Sequence, residues 1–127
     1  MLGPDAPVDV TSEYPQGYIG VMTSRVDITT FVQKHAEGAV VVDCREPFEY
    51  VSGHVPGAML APMSQITHHV ASIPKDEDVY VICASGNRSL AVADFLGRFG
   101  VRAHSVDGGT GAWVRAGHPV VTGQSAA

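Results

Sequence analysis

The sequence predicts a three-layer α/β domain with a mostly parallel central sheet of about four or five strands and helices on both faces. Two short apolar, β-branched runs, 39–42 and 79–83, are typical of strands buried on both faces. Segments with helical spacing of apolar residues alternate with the strands. The chain has 127 residues, about the length of one domain. In such sheets the carboxyl ends of the strands form the edge where ligands bind.

The first half of the domain is predicted to contain a helix, a strand and a second, brief helix. Asp27 is the predicted N-cap of the first helix, and Gly38 ends it. The strand over 39–43 follows and ends at Asp43. Pro47 suits the first turn of a short helix that ends before Gly53. A turn-rich segment and a short apolar piece over 58–61 complete this half.

The second half is predicted to alternate between helices and strands, with Gly100 and Gly117 as helix-ending residues. The predicted elements are a helical stretch over 63–73, a strand over 79–83, a helix from Ser89 to Phe99, a strand over 101–106 and a short helix over 110–116.

The two ends of the chain are predicted to lie outside the folded domain, which then spans residues 21–122. Residues 1–20 contain three prolines, no basic residue and no regular apolar spacing, so we expect an extended or disordered arm. The last five residues, 123–127, are expected to be a frayed tail.

Charge and composition argue against several classes of partner. Eight Lys and Arg residues, scattered singly, face thirteen Asp and Glu, giving a formal net charge of -5. This pattern disfavours nucleic acid and anionic membrane surfaces. No apolar run approaches the roughly 20 residues of a membrane helix, and no signal peptide is apparent. Two cysteines and six histidines show no metal-ligand spacing. We therefore expect a cytoplasmic protein with no metal and no cofactor.

The loop after the second apolar strand carries the strongest chemical signal. Cys83 ends the strand, and a small, turn-prone segment leads into the next helix. If this loop wraps back, its N–H groups face the Cys83 sulfur, while the helix N-terminus and Arg88 add positive charge. Each effect stabilises a thiolate, so Cys83 is the candidate nucleophile. The loop and helix-start residues are Ala84, Ser85, Gly86, Asn87, Arg88 and Ser89.

Four motifs occur in a fixed order along the chain. They are 43–49 (DCREPFE), 53–58 (GHVPGA), 83–89 (CASGNRS), and 107–113 (DGGTGAW) with 116–120 (AGHPV). Together they resemble the motifs of single-domain members of the rhodanese-like sulfurtransferase family. The resemblance covers roughly residues 20–121 and implies a rhodanese-like fold.

The resemblance also implies a reaction. Cys83 would accept sulfane sulfur from a donor such as thiosulfate, become a persulfide, and pass the sulfur to cyanide or a thiol. Residues 84–88 would cradle the sulfur, and Arg88 would face an anionic donor. Attack of a thiolate on an anion needs such a cationic, donor-rich pocket. Thioredoxin or another sulfur-relay protein is an alternative acceptor.

Two other functions remain open at this point. Cysteine phosphatases and arsenate reductases use a thiolate loop with five residues between Cys and Arg, whereas four lie between Cys83 and Arg88 here. The resemblance assigns the shorter loop to sulfurtransferases. The second alternative is a non-catalytic rhodanese-like binding or regulatory module. Inactive members of the family typically lack the cysteine that this chain retains.

Polar residues near the first strand are secondary candidates. Arg45 could contact an anionic donor beside Asp43. The favoured interpretation is that Asp43, Arg45 and Glu49 form a charged network that ties loops together. His54 could act as an acid or base, but we expect it to hold a turn by hydrogen bonding.

The second cysteine has two interpretations. Cys44 could approach Cys83 and act as a resolving thiol. Because strand side chains alternate, Cys44 points to the face opposite Asp43. The favoured interpretation is therefore a buried structural thiol.

Overall fold

The computed structural model describes residues 23–127, which contain a five-stranded parallel sheet. Its strands are β1 (Ser24–Val26), β2 (Val40–Asp43), β3 (Met59–Leu60), β4 (Asp78–Ile82) and β5 (Arg102–Val106). They are arranged in the order β1-β5-β4-β2-β3, and every neighbouring pair is parallel. The two strands predicted to be most buried, β2 and β4, therefore lie side by side near the middle of the sheet.

Helices cover both faces of the sheet. They are α1 (Ile28–Ala36), α2 (Pro47–Ser52), α3 (Asn87–Arg98) and α4 (Gly109–Arg115), with 3₁₀ helices at Met63–His68 and Val70–Ser72. Leu96 of α3 packs with Ile66 and the 3₁₀ segments on one face. Phe31, Tyr50 and Trp113, from α1, α2 and α4, pack together on the other. The predicted three-layer α/β fold is confirmed.

The register of β2 and β4 places the residues that follow them at one edge of the sheet. Asp43 is paired with Ile82, and the Cys44 N–H donates to the Ile82 carbonyl oxygen at 3.0 Å. The ladder therefore extends one residue past β2. Cys44 and Cys83 leave neighbouring strands at the same carboxyl edge, where the candidate site was expected.

Three elements differ from their predictions. The helix α3 begins at Asn87, two residues before the predicted start, so Arg88 and Ser89 lie in its first turn. Residues 63–73 form two short 3₁₀ helices rather than one helix, and Gln65, inside the first of them, has non-helical backbone angles. Apolar residues there recur mostly every three positions, which is the period of a 3₁₀ helix. The short strand β1 was not predicted because it has no apolar run to signal it.

The structure describes the C-terminal end of the chain but not the predicted N-terminal arm. The arm expected over 1–20 lies outside the described residues. The segment expected to fray makes contacts: the Ser125 carbonyl oxygen lies 2.8 Å from His54 Nε2, and the Ala126 carbonyl oxygen accepts a hydrogen bond from the Gly57 N–H. Within residues 23–127, no helix is both long enough and apolar enough to span a membrane.

Candidate active site

Cys83 is the first residue beyond β4, and its side chain is only 1% exposed. The N–H groups of Gly86 and Ser89 donate to its Sγ at 3.1 and 3.3 Å. The Ser89 hydroxyl lies 3.5 Å from the same sulfur. The loop therefore does wrap back on the sulfur. Because Ser89 is in the first turn of α3, the positive end of that helix also faces Cys83.

Two glycines allow the loop to close. Gly86 is the N-cap of α3 and has φ +108°, a conformation that side chains rarely adopt. Gly109 has φ +58°, and a Cβ there would overlap the Cys83 carbonyl oxygen. The close approach lets the Thr110 N–H donate to that oxygen at 2.8 Å. The N-terminal turn of α4 thus binds the Cys83 carbonyl oxygen. The N–H groups of Gly86 and Ser89 face the Cys83 sulfur.

A buried hydroxyl pair supports the loop from β5. The Ser89 and Ser105 hydroxyl oxygens are 2.8 Å apart, and both side chains are buried. Ser105 is paired with Val81 in the sheet, so it stands directly beside β4. Ser105 was missed in the sequence because a single serine in a strand carries little signal. Its position near the carboxyl end of the strand predicted over 101–106 is the one feature that places it close to the candidate site.

Cys44 lies beside Cys83, one residue past paired positions of β2 and β4 and in the same apolar cluster. The interaction of the Cys44 thiol with the Cys83 sulfur is the largest cause of the lowered pKa of Cys83. The hydrogen bonds from Ser89 and Gly86 lower it further against the opposing effect of burial, to about 4. The same interaction, together with burial, raises the pKa of Cys44 far above its usual value. Because the Gly86 and Ser89 N–H groups donate to Cys83 Sγ, the site favours the thiolate on Cys83 and the proton on Cys44.

Cys44 points to the predicted side of the sheet, but the prediction did not place Cys83 beside it. Cys44 is fully buried and packs in the same apolar cluster as Cys83. Alternation does turn it away from Asp43. Cys83 points to that same face, however, which brings the two sulfurs together.

Arg88 binds Glu49, which was predicted to join Asp43 and Arg45 instead. Its two terminal nitrogens donate to the Glu49 carboxylate at 2.7 and 2.9 Å. The pair lowers the pKa of Glu49 to about 2 and raises the pKa of Arg88. The negative charge of Cys83 also contributes to the raised pKa of Arg88. The guanidinium is thus electrostatically coupled to the sulfur while it is bound by Glu49.

Asp43 and Arg45 form a buried ion pair. Arg45 donates from Nε and Nη2 to both Asp43 oxygens, at distances from 2.8 to 3.2 Å, and from Nη2 to the Gly53 carbonyl oxygen. This contact ties the end of β2 to the turn after α2, as the network interpretation expects. Glu49 pairs with Arg88 instead of joining this network.

His54 occupies the turn where it was expected. Its side chain is fully buried and stacks on the Tyr50 ring at 3.6 Å between centroids. Nδ1 and Nε2 lie 2.8 Å from the carbonyl oxygens of Tyr50 and Ser125. Among residues 23–127, no three His, Cys, Asp or Glu side chains cluster in a way that could hold a metal ion.

Comparisons with known proteins agree with this geometry. Residues 28–116 match the model of the rhodanese-like domain. A protein of Allochromatium vinosum named sulfurtransferase is 37% identical over 103 residues, which cover 79% of this chain and 96% of that protein. The thiosulfate sulfurtransferase GlpE of Pseudomonas entomophila is 37% identical over 90 residues, or 70% of this chain and 82% of that protein.

Solved structures have the same fold. A rhodanese-related protein from Thermoplasma volcanium superposes with a TM-score of 0.74 at 31% identity, covering 79% of this chain and 99% of that one. A rhodanese-like domain protein from Staphylococcus aureus superposes with a TM-score of 0.72 at 30% identity, covering 80% of this chain and all of that one. The chain therefore belongs to the rhodanese-like domain family.

Proposed function

We propose that this protein is a sulfurtransferase in which Cys83 carries the transferred sulfur as a persulfide. The observation that carries the proposal is the convergence of the Gly86 N–H and the Ser89 N–H on Cys83 Sγ. These donors favour a thiolate, which is the nucleophilic form of cysteine. The names of the relatives, sulfurtransferase and thiosulfate sulfurtransferase, support the same chemistry.

The first half-reaction loads the sulfur. The Cys83 thiolate attacks the outer sulfur of thiosulfate, the S–S bond of thiosulfate breaks, and sulfite leaves with the electron pair. The new outer sulfur of the persulfide carries the negative charge. Residues 84–89 supply the N–H groups and helix end that stabilise this charge, as they stabilise the thiolate.

The second half-reaction unloads the sulfur. Cyanide or a thiol attacks the outer sulfur, the persulfide S–S bond breaks, and the Cys83 thiolate returns. Donor and acceptor therefore react in turn at one sulfur atom. Because Cys83 is almost fully buried, we expect small donors to react more readily than bulky ones. A thiol protein such as thioredoxin would need to insert its reactive sulfur at the loop.

Arg88 is proposed to attract the anionic donor. A guanidinium has five N–H donors, and the two hydrogen bonds to Glu49 leave others for a ligand. The partial neutralisation by Glu49 moderates this attraction. Asp43 and Arg45, named as secondary candidates, are proposed to support the site through the buried ion pair and the turn it holds.

The assay for this function measures thiocyanate formed from thiosulfate and cyanide by the wild type and the Cys83→Ser variant. We expect turnover by the wild type and none by the variant. A phosphatase would instead hydrolyse an aryl phosphate with the same cysteine, and a binding module would do neither. Equal thiocyanate formation by both proteins would overturn the proposal.

A further inference from the structure

The two cysteines of the chain stand at matching positions on neighbouring strands. Asp43 is paired with Ile82, and Cys44 and Cys83 are the next residue on each strand. The Cys44 N–H bond to Ile82 shows that the ladder continues to this point. Neighbouring strands lie about 4.8 Å apart, which is within the range of Cα separations that a disulfide can bridge. This backbone spacing is compatible with a disulfide between the two cysteines.

The side chains of both cysteines point into one apolar cluster. Val42 and Val81, two residues earlier on each strand, belong to the same cluster, as alternation requires. Neither cysteine is in a disulfide, and each shifts the pKa of the other. Cys44 comes from β2 and the core, whereas the N–H donors come from the loop. The same sulfur atom is thus approached by a thiol from one element and an anion cradle from another.

We propose that Cys44 is an internal resolving thiol: it displaces the sulfur carried by Cys83 as sulfide and leaves a Cys44–Cys83 disulfide. This inference rests on the proposed function, because it begins from the Cys83 persulfide. It adds a second outcome for that persulfide. An external acceptor attacks the outer sulfur, whereas Cys44 attacks the inner sulfur.

The step balances without any oxidant. Cys44 Sγ forms a bond to Cys83 Sγ, and the bond between Cys83 Sγ and the outer sulfur breaks. The outer sulfur leaves with the electron pair and takes the Cys44 proton, giving HS⁻. The Cys44 sulfur is oxidised and the outer sulfur is reduced. An external dithiol then reduces the protein disulfide and is itself oxidised to a disulfide, which restores both thiols.

The loaded state also changes the charge that Cys44 faces. In the free protein the thiolate of Cys83 keeps the proton on Cys44. In the persulfide the negative charge has moved to the outer sulfur, which is the atom that must take up the proton. Loading Cys83 therefore moves the charge away from the sulfur that Cys44 attacks and creates the proton acceptor for that attack.

The test follows the protein after loading with thiosulfate, with no cyanide or thiol present. The two proteins compared are the wild type and Cys44→Ser, which keeps a hydroxyl donor beside Cys83 and removes the second sulfur. Sulfide is measured by methylene blue formation, and the protein by intact mass and peptide mapping. We expect the wild type to lose its sulfur adduct, release up to one sulfide per chain and gain a disulfide between the peptides of Cys44 and Cys83. Cys44→Ser is expected to keep the adduct.

The outcomes separate this inference from the proposed function. If Cys44→Ser carries the adduct and the wild type also keeps it without releasing sulfide, the resolving role of Cys44 is overturned and the role of Cys83 as sulfur carrier stands. Equal sulfide release by both proteins also overturns it. If neither protein ever carries a sulfur adduct, forms a disulfide or yields thiocyanate with cyanide, the proposed function fails and the inference fails with it.

Discussion

Glu49 binds Arg88 through two hydrogen bonds, at 2.7 and 2.9 Å, across the boundary between α2 and α3. The pair is half-buried and lies close enough to Cys83 for the sulfur's charge to strengthen the protonation of Arg88. Under the proposed function, the Arg88 guanidinium is therefore shared between the Glu49 carboxylate and an anionic donor. Two predictions follow from this competition.

Removing the cation should impair anionic donors selectively. For Arg88→Ala we expect the KM for thiosulfate to rise by about tenfold or more, the effect of losing one charge-assisted hydrogen bond. An uncharged donor such as a dialkyl trisulfide should be affected less. Steady-state kinetics with both donors measures the difference. Equal losses for the two donors would show that Arg88 acts through the fold rather than through charge.

Removing the competing carboxylate should have the opposite effect. For Glu49→Gln we expect the thiosulfate KM to fall by about three- to tenfold, because a partly exposed ion pair is worth roughly 1 kcal/mol. Glutamine matches glutamate in size, so the substitution removes the charge of residue 49 without changing its packing. A KM that rises, as for Arg88→Ala, would mean that Glu49 positions Arg88 instead of competing with the donor.

The lowered pKa of Cys83 predicts alkylation well below neutral pH. The thiolate is the reactive form, so the iodoacetamide rate should rise through a midpoint near pH 4 and then stay level to pH 8. Cys44→Val removes the largest stabilising contact and should raise the midpoint by about one to two units. Cys44→Ser, which keeps a donor, should raise it less. A wild-type midpoint near 8.5, the usual cysteine value, would contradict the described hydrogen bonds.

Closure of the loop on α4 predicts a strict need for glycine at position 109. A Cβ on Gly109 would overlap the Cys83 carbonyl oxygen and lie 2.7 Å from the Ala84 carbonyl carbon. We expect Gly109→Ala to lower the free energy of unfolding by about 2–4 kcal/mol, from strain and overpacking together. Gly117 is the control: it also has positive φ, but nothing lies within 4 Å of its added Cβ. Urea unfolding should show a smaller loss of unfolding free energy for Gly117→Ala than for Gly109→Ala. Equal losses would mean that the close contact at Gly109 is not the cause.

The sequence carried enough local signal to predict the fold class and the loop around Cys83. The apolar runs mark β2 and β4, and the loop is contiguous in the chain, so its hydrogen bonds to Cys83 span only three and six residues. Prediction of residues 63–73 as a single helix was wrong because apolar spacing alone does not separate a helix from successive 3₁₀ turns.

Contacts between distant segments could not be read from the sequence. Cys44 meets Cys83 only because β2 and β4 are neighbours in the sheet and share one register. Alternation along one strand predicted the face of Cys44, but the face of Cys83 also depends on how the two strands align. The Glu49–Arg88 pair likewise depends on where α2 and α3 pack, 39 residues apart.

The central claim is that Cys83 carries sulfur, and intact-protein mass spectrometry tests it most directly. Wild type, Cys44→Ser and Cys83→Ser are mixed with thiosulfate and quenched in acid within seconds. We predict a gain of one sulfur atom on the first two proteins, lost when cyanide is added before the quench, and no gain on Cys83→Ser. A sulfur adduct on Cys83→Ser, or none on Cys44→Ser, would contradict the account.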